Sequence, residues 1–269
     1  MDRTEVIGIA SGKGGVGKTT VAVNLAIALQ QSGNRVMMFD ADLGLANSQI
    51  AMGCTCPFNL SHFMSGQKTL EEIIVTTRQG IKLIPGASGV SELAALNRNQ
   101  ASRVVQSFSA LEDEIDYLIV DMAAGISPSV LAFMEACQRR FIIVRDDPSS
   151  IADAYGMIKV LIQEYDLNEI YIIPNAVKNQ TDGQNLFRRI NQVCAQFLNY
   201  TTNYIGSIED DKLILEGHRK FEPILNYAPS SLSARSFIRL AKSVTQIPRI
   251  NNISGGMQFF VERLVRSQI

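Results

Sequence analysis

Gly12-Lys13-Gly14-Gly15-Val16-Gly17-Lys18-Thr19 follows the apolar run Val6–Ala10 and opens a stretch of helical periodicity from Lys18 to Gln31. The octapeptide fits G-x-x-x-x-G-K-[ST], a phosphate-binding loop. At average residue frequencies such a match arises by chance in roughly one chain in a hundred of this length. Glycines let successive backbone N–H groups converge on an anion, and the helix that follows adds its positive dipole end. In a loop of this kind Lys18 contacts the β- and γ-phosphates, the Thr19 hydroxyl ligates Mg²⁺, and Thr20 follows in the same nucleotide-binding set.

Outward from the loop, short apolar runs alternate with helical stretches. The runs are Val6–Ala10, Arg35–Asp40, Ile81–Pro85, Tyr117–Asp121, Phe141–Val144, Ile170–Pro174 and Tyr204–Ile208. Most are apolar without alternation, as in parallel strands covered on both faces. Helices are expected over Lys18–Gln31, Ser127–Gln138, Ile151–Tyr165, Asn185–Leu198 and Ser231–Val244. The fold class that follows is α/β, a mostly parallel, doubly wound sheet flanked by helices; the family resemblance that the loop carries implies a P-loop NTPase of SIMIBI type. Residues 1–246 form the expected ATPase domain, and residues 247–269 a flexible connector with a C-terminal amphipathic helix.

The 269 residues carry 25 Lys plus Arg and 26 Asp plus Glu, so the net charge is 25 − 26 = −1. That balance argues against a general polyanion binder, and direct nucleic-acid binding is not expected. No apolar run reaches the ~18–20 residues of a bilayer span, and no signal peptide opens the chain. Four cysteines are no disulfide scaffold, which points to a reducing cytoplasm. Cys54-Thr55-Cys56 is too tight for zinc spacing and has no second pair, so buried or incidental thiols are expected there and at Cys137 and Cys194. His62 and His218 stand alone, and Arg139-Arg140 and Arg188-Arg189 are basic pairs of the kind found at solvated helix ends.

Asp40-Ala41-Asp42 closes the second strand, where a parallel sheet presents carboxylates to its ligand edge. Tyr117-Leu118-Ile119-Val120-Asp121 has the form of a Walker B segment, whose aspartate holds Mg²⁺. Ala123-Ala124-Gly125-Ile126 after it is the expected second switch, and Pro174-Asn175 ends a later strand.

The second lysine of Lys13-Gly14-Gly15-Val16-Gly17-Lys18-Thr19-Thr20 makes the loop a deviant Walker A motif, and here the chain resembles the MinD/ParA family of dimerising ATPases. The resemblance implies a homodimer formed across two ATP molecules, with Lys13 reaching the partner's nucleotide like an arginine finger supplied in trans. It implies that Asp42 orients the attacking water and that Asp40 lies near the Mg²⁺ shell with Thr19 and Asp121. It also implies that Asn175 reads the adenine edge, with Asp211 a second base contact. The family's I-P-x-D segment there reads Ile208-Glu209-Asp210-Asp211, without the proline. Catalytic roles thus fall to Lys13, Lys18 and Asp42. Nucleotide contacts fall to Gly12, Lys13, Gly14, Gly15, Val16, Gly17, Lys18, Thr19, Thr20, Asn175 and Asp211.

Within the family, Ala87-Ser88-Gly89-Val90, Asp121–Ile126, Asp153–Lys159, Asn185-Leu186-Phe187 and Phe259–Val265 resemble flagellar-number regulators of the FleN/FlhG type. That branch implies slow ATP hydrolysis, control of flagellar number or placement, and restraint of a flagellar transcriptional activator. A flagellar signal-recognition-type GTPase is a further implied partner. Because few residues precede the first strand, the N-terminal activating motif of some members is expected to be absent. Arg145-Asp146-Asp147-Pro148 is more charged than the family's usual stretch.

The tail carries its own signal. At about 100° per residue, Met257, Phe260, Val261, Leu264 and Val265 share one side, with Phe259 the misfit. Phe260, Val261, Leu264 and Val265 are the expected lipid-facing residues, giving a cytoplasmic protein reversibly associated with the inner membrane surface. Docking of this helix on its own domain is the alternative. The rival functions are a MinD-like division-site ATPase, a ParA-like DNA-segregation ATPase, a metabolic ligase and an iron–sulfur carrier. The last two would need a substrate pocket or cysteines that the sequence does not supply.

Overall fold

The computed structural model describes residues 4–44, 46–87, 96–112, 114–249 and 257–260. The apolar runs become the strands β1 (Glu5–Ala10), β2 (Val36–Ala41), β3 (Val75–Thr76), β4 (Lys82–Ile84), β5 (Tyr117–Met122), β6 (Arg139–Val144), β7 (Ile170–Val177), β8 (Asn203–Tyr204) and β9 (Ile208–Glu209). They lie in the order β3-β4-β2-β5-β1-β6-β7-β8, with β9 also paired to β7. Every pairing is parallel except that of β3 with β4. The expected strand Tyr204–Ile208 is instead two short ones, because Gly206 turns the chain between them with φ 150.

Ten helices are described: α1 (Lys18–Gln31), α2 (Ser48–Ala51), α3 (Leu60–Met64), α4 (Arg98–Ser107), α5 (Pro128–Ala136), α6 (Pro148–Gln163), α7 (Gln180–Leu198), α8 (Lys212–Arg219), α9 (Ile224–Tyr227) and α10 (Leu232–Gln246). Side chains of a strand alternate between two faces, and here both faces are buried. Val6, Phe39, Leu118 and Val120 join one core with α4, α5, α6 and α7. Ile7, Ile9, Met38 and Ile119 join the other with α1 and α10. Two covered faces explain why the strands read as continuous apolar runs. Helix starts are set by side-chain caps: Ser127 on α5, Asp147 on α6, Asn179 on α7 and Ser231 on α10. Asn179 starts α7 one turn and more before the apolar pattern beginning at Asn185 becomes visible.

Arg139 and Arg140 are not at a solvated helix end. They begin β6 and are buried, Arg139 to 1% exposure. Arg139 pairs with Glu5 and donates to Tyr171 Oη at 2.6 Å, Glu169 at 3.2 Å and the Pro248 carbonyl at 2.5 Å. Arg140 gives its protons to the carbonyls of Met134, Cys137, Gln138 and Asn168. Arg139→Ala leaves the Glu5 carboxylate buried without a cation, which costs about 3–5 kcal/mol. A fall in the thermal midpoint on the order of 10 °C is expected. Glu5→Leu combined with Arg139→Met should recover much of it, and a midpoint for Arg139→Ala within a degree or two of wild type would contradict the assignment.

The same contacts tie down the start of the tail. Ile247 packs on the second core, Pro248 accepts from Arg139, and the Arg249 guanidinium lies over the Tyr117 ring at 5.8 Å. Phe259 and Phe260 are both buried, with their rings edge-on to Phe108 at 4.8 and 5.7 Å. Phe260, expected on a lipid-facing side, is therefore turned into the domain's own core in this conformation, and so is the supposed misfit Phe259. Val261, Leu264 and Val265 lie outside the described residues.

Candidate functional site

The loop Ser11–Gly17 joins the C-terminal end of β1 to α1, at the middle of the sheet. Gly17 starts α1 in the left-handed region, φ 96, and no side chain caps that helix. Its first N–H groups therefore face the loop without a side-chain acceptor, as an anion site requires. Two glycines are dictated by neighbours. A Cβ on Gly12 would lie 2.3 Å from the Asp153 carbonyl of α6, and one on Gly17 would lie 2.4 Å from Asn175 Nδ2. Gly14 and Gly15 have nothing within 4 Å of such a position, so the mouth of the loop is open.

Lys18 is buried at the first position of α1. Asp40 and Asp121 stand opposite each other on the neighbouring strands β2 and β5 and are buried to 1% exposure. Ser48, at the start of α2, binds both: its N–H donates to Asp40 at 2.9 Å and its hydroxyl to Asp121 at 3.4 Å. The Asp42 N–H donates to the other Asp40 oxygen at 3.1 Å. Burial and the nearby Asp121 charge push Asp40 up to about 8. Burial pushes Asp121 up to about 6, against the opposing hydrogen bond from Thr19 and the charge of Lys18. Asp121 Oδ1 is buried with no hydrogen-bond partner. Two crowded carboxylates, an adjoining threonine hydroxyl and an orphaned acceptor form a hard oxygen donor set, which fits Mg²⁺.

Asp40 and Asp121 titrate near 4 when unfolded, but hold protons to about 8 and about 6 in the fold. Between about pH 4 and about pH 8 the metal-free fold then binds more protons than the unfolded chain, so its stability falls as pH rises through that window. Thermal melts in chelator should show this fall, and Asp40→Asn should flatten most of it. A profile unchanged by Asp40→Asn would remove the pair as its source.

The structure engages Lys13 within its own chain. Its ammonium contacts Ser149 Oγ at 2.6 Å and Asp147 Oδ1 at 3.3 Å, at the start of α6. The Ser149 hydroxyl and the Ser150 N–H, with Lys13, hold Asp147 down to about 2. The charged stretch is thereby used locally: Asp146 pairs with Arg189 and Asp147 caps α6. Gly125, in the segment expected to form the second switch, donates its N–H to the Ser11 carbonyl at 2.9 Å and so joins that segment to the loop.

Asn175 donates to the Val16 carbonyl at 2.7 Å. A bulge places it there: Ala176 takes φ 54 between the pairings Asn175↔Ile208 and Val177↔Glu209, and such bulges re-aim a neighbouring side chain. Where the family's proline was expected, Glu209 pairs in β9 and accepts from Ser236 and Arg239, both at 3.2 Å. Asp211 caps α8, accepting from Leu213 N–H at 3.0 Å and Ser233 Oγ at 2.8 Å. Sequence reasoning missed three residues here: Ser48, Ser149 and His218, whose Nε2 lies 3.3 Å from Thr20 Oγ1. Only the fold brings them to the loop.

A family model described as ParA, NUBPL iron-transfer P-loop NTPase, matches residues 2–245. The antiactivator FleN of Pseudomonas aeruginosa is 37% identical over 99% of this chain and 95% of its own length. The flagellum site-determining protein YlxH of Helicobacter pylori is 32% identical over 98% of this chain and 90% of its own. Among solved structures, the septum site-determining protein MinD complexed with Mg-ADP from Pyrococcus horikoshii superposes with a TM-score of 0.77. It is 27% identical and covers 91% of this chain and 97% of that one.

Proposed function

Because this chain belongs to the ParA family of P-loop NTPases, we propose that it is an ATP-hydrolysing switch that restrains a flagellar transcriptional activator and so sets flagellar number or placement. The observation that carries the chemistry is the open, uncapped loop facing the buried Asp40–Asp121 pair. What supports the output is the likeness to an antiactivator and a flagellum site-determining protein along nearly the whole chain.

In this proposal the N–H groups of Gly14 to Lys18 and the Lys18 ammonium hold the phosphates, with Gly12, Thr19 and Thr20 completing the loop. Thr19 and Asp121 would hold Mg²⁺, with Asp40 beside them, and a bound ion would supply positive charge against the charge that develops on the phosphoryl group. Asp42 orients water for attack. Asn175 spends one N–H on the loop and turns its remaining amide groups to the base. Lys13 leaves Asp147 and Ser149 to serve a second copy's nucleotide, so ATP favours a homodimer and slow hydrolysis resets it. Peripheral membrane association through the tail belongs to a conformation other than this one, since Phe260 is packed inward here. No described helix is long and apolar enough to cross a membrane.

Deleting the gene in its host and counting flagella by electron microscopy tests the output. More flagella than wild type are expected. An unchanged count with misplaced septa or lost DNA would keep the switch chemistry and move its cargo to division, as in the MinD relatives, or to segregation.

A further inference from the structure

Cys54 and Cys56 flank Thr55 in the segment that leads away from α2, the helix whose first residue holds both site carboxylates. Their sulfurs lie 4.0 Å apart, and the Cys54 thiol also meets the Gln49 carbonyl at 3.6 Å. Both are partly exposed, whereas Cys137 and Cys194 are buried. With one residue between them, the two Cα atoms are no more than about 7 Å apart, at the reach of a disulfide. Among the described residues no group of three or more metal-ligating side chains occurs, so the pair falls short of a four-ligand soft-metal site.

We propose that Cys54 and Cys56 form a reversible intrachain disulfide, a redox-modification site whose oxidant is a low-molecular-weight disulfide. The Cys54 thiolate attacks one sulfur of the oxidant, whose S–S bond breaks and releases one thiol. The Cys56 thiolate then attacks the Cys54 sulfur, closing the Cys54–Cys56 bond and expelling the second thiol. Two protein thiols are oxidised, one disulfide is reduced to two thiols, and the protons pass to the leaving thiolates. The hydrogen bond from Cys56 lowers the Cys54 thiol pKa, which suits Cys54 to the first step. A ring closed over a single residue is tight, and tight or exposed disulfides are the readily reduced ones.

The full-length protein is exposed to oxidised glutathione, quenched in acid, alkylated and mapped by mass spectrometry. The wild-type peptide bearing both cysteines is expected to lose two hydrogens and both alkylation sites, and to regain them after dithiothreitol. Cys54→Ser and Cys56→Ser each remove one partner, so the remaining cysteine should stop as the glutathione adduct. Cys137 and Cys194 should stay reduced in all three proteins, which reports that the fold is intact. Wild-type protein that keeps glutathione on either sulfur, or that remains fully alkylatable, would overturn the proposal.

Discussion

Lys18→Ala is expected to weaken ATP binding by a factor of about 100 or more and to abolish hydrolysis. Lys18 is 8% exposed at the first position of α1, behind a loop of backbone N–H groups. A cation about 4 Å from a phosphate, at an effective dielectric constant of about 20, contributes about 4 kcal/mol. That is nearly three decades of affinity. Some of it is retained by the helix N-terminus, which holds the anion without the side chain. Lys18→Arg should also bind poorly, because a planar guanidinium does not replace a compact ammonium in a buried slot. Calorimetric titration with ATP and Mg²⁺ measures the change. Circular dichroism provides the folding control, needed because Lys18 also lowers the Asp121 carboxyl. A dissociation constant within about threefold of wild type would remove Lys18 from the phosphate site.

What could be read before folding was whatever is local in the chain. The loop is one contiguous octapeptide, and its strand and helix flank it directly, so Gly12–Thr19 announce themselves. The central strands are equally legible, because burial on both faces leaves no polar positions to confuse the pattern. Contacts between distant segments leave no such trace. Ser48 and Asp121 are 73 residues apart, Lys13 and Asp147 134, and Thr20 and His218 198. Ser48 resembles any serine at a helix start until β2 and β5 set Asp40 beside Asp121. Arg139 looks solvated until Glu5, Glu169, Tyr171 and Pro248 converge on it. Phe259 spoils the tail's amphipathic pattern because that pattern is read against water. In the fold, Phe260 takes φ 58, and both rings reach Phe108 from an irregular turn. Charge and periodicity describe a segment against water, and these residues are decided by what packs against them.

Lys13→Ala should lower ATP hydrolysis by about 10³–10⁵, the range of a cation supplied in trans, while ATP binding changes only a few-fold. Loss of activity alone would not show which chain Lys13 serves, since here its ammonium rests on Ser149 and Asp147 of its own protomer. Mixing variants separates the two cases. Lys13→Ala and Asp42→Ala proteins should each be inactive, the second for want of the carboxylate proposed to orient water. In a mixed dimer, the protomer carrying Lys13→Ala keeps its own Asp42 and receives Lys13 from its partner, so one of two sites is whole. The opposite site lacks both groups. Random pairing makes about half the dimers mixed, so an equimolar mixture should recover about a quarter of wild-type activity. If Lys13 acted within its own chain, every site in the mixture would lack one group or the other, and no activity would return. Asp147→Ala supplies the complementary arm: it removes the carboxylate that pairs with Lys13 and leaves only the Ser149 hydroxyl on the ammonium, so it should favour the ATP-bound dimer. Mixing that fails to restore hydrolysis while sedimentation shows dimers forming would place Lys13's function within its own protomer.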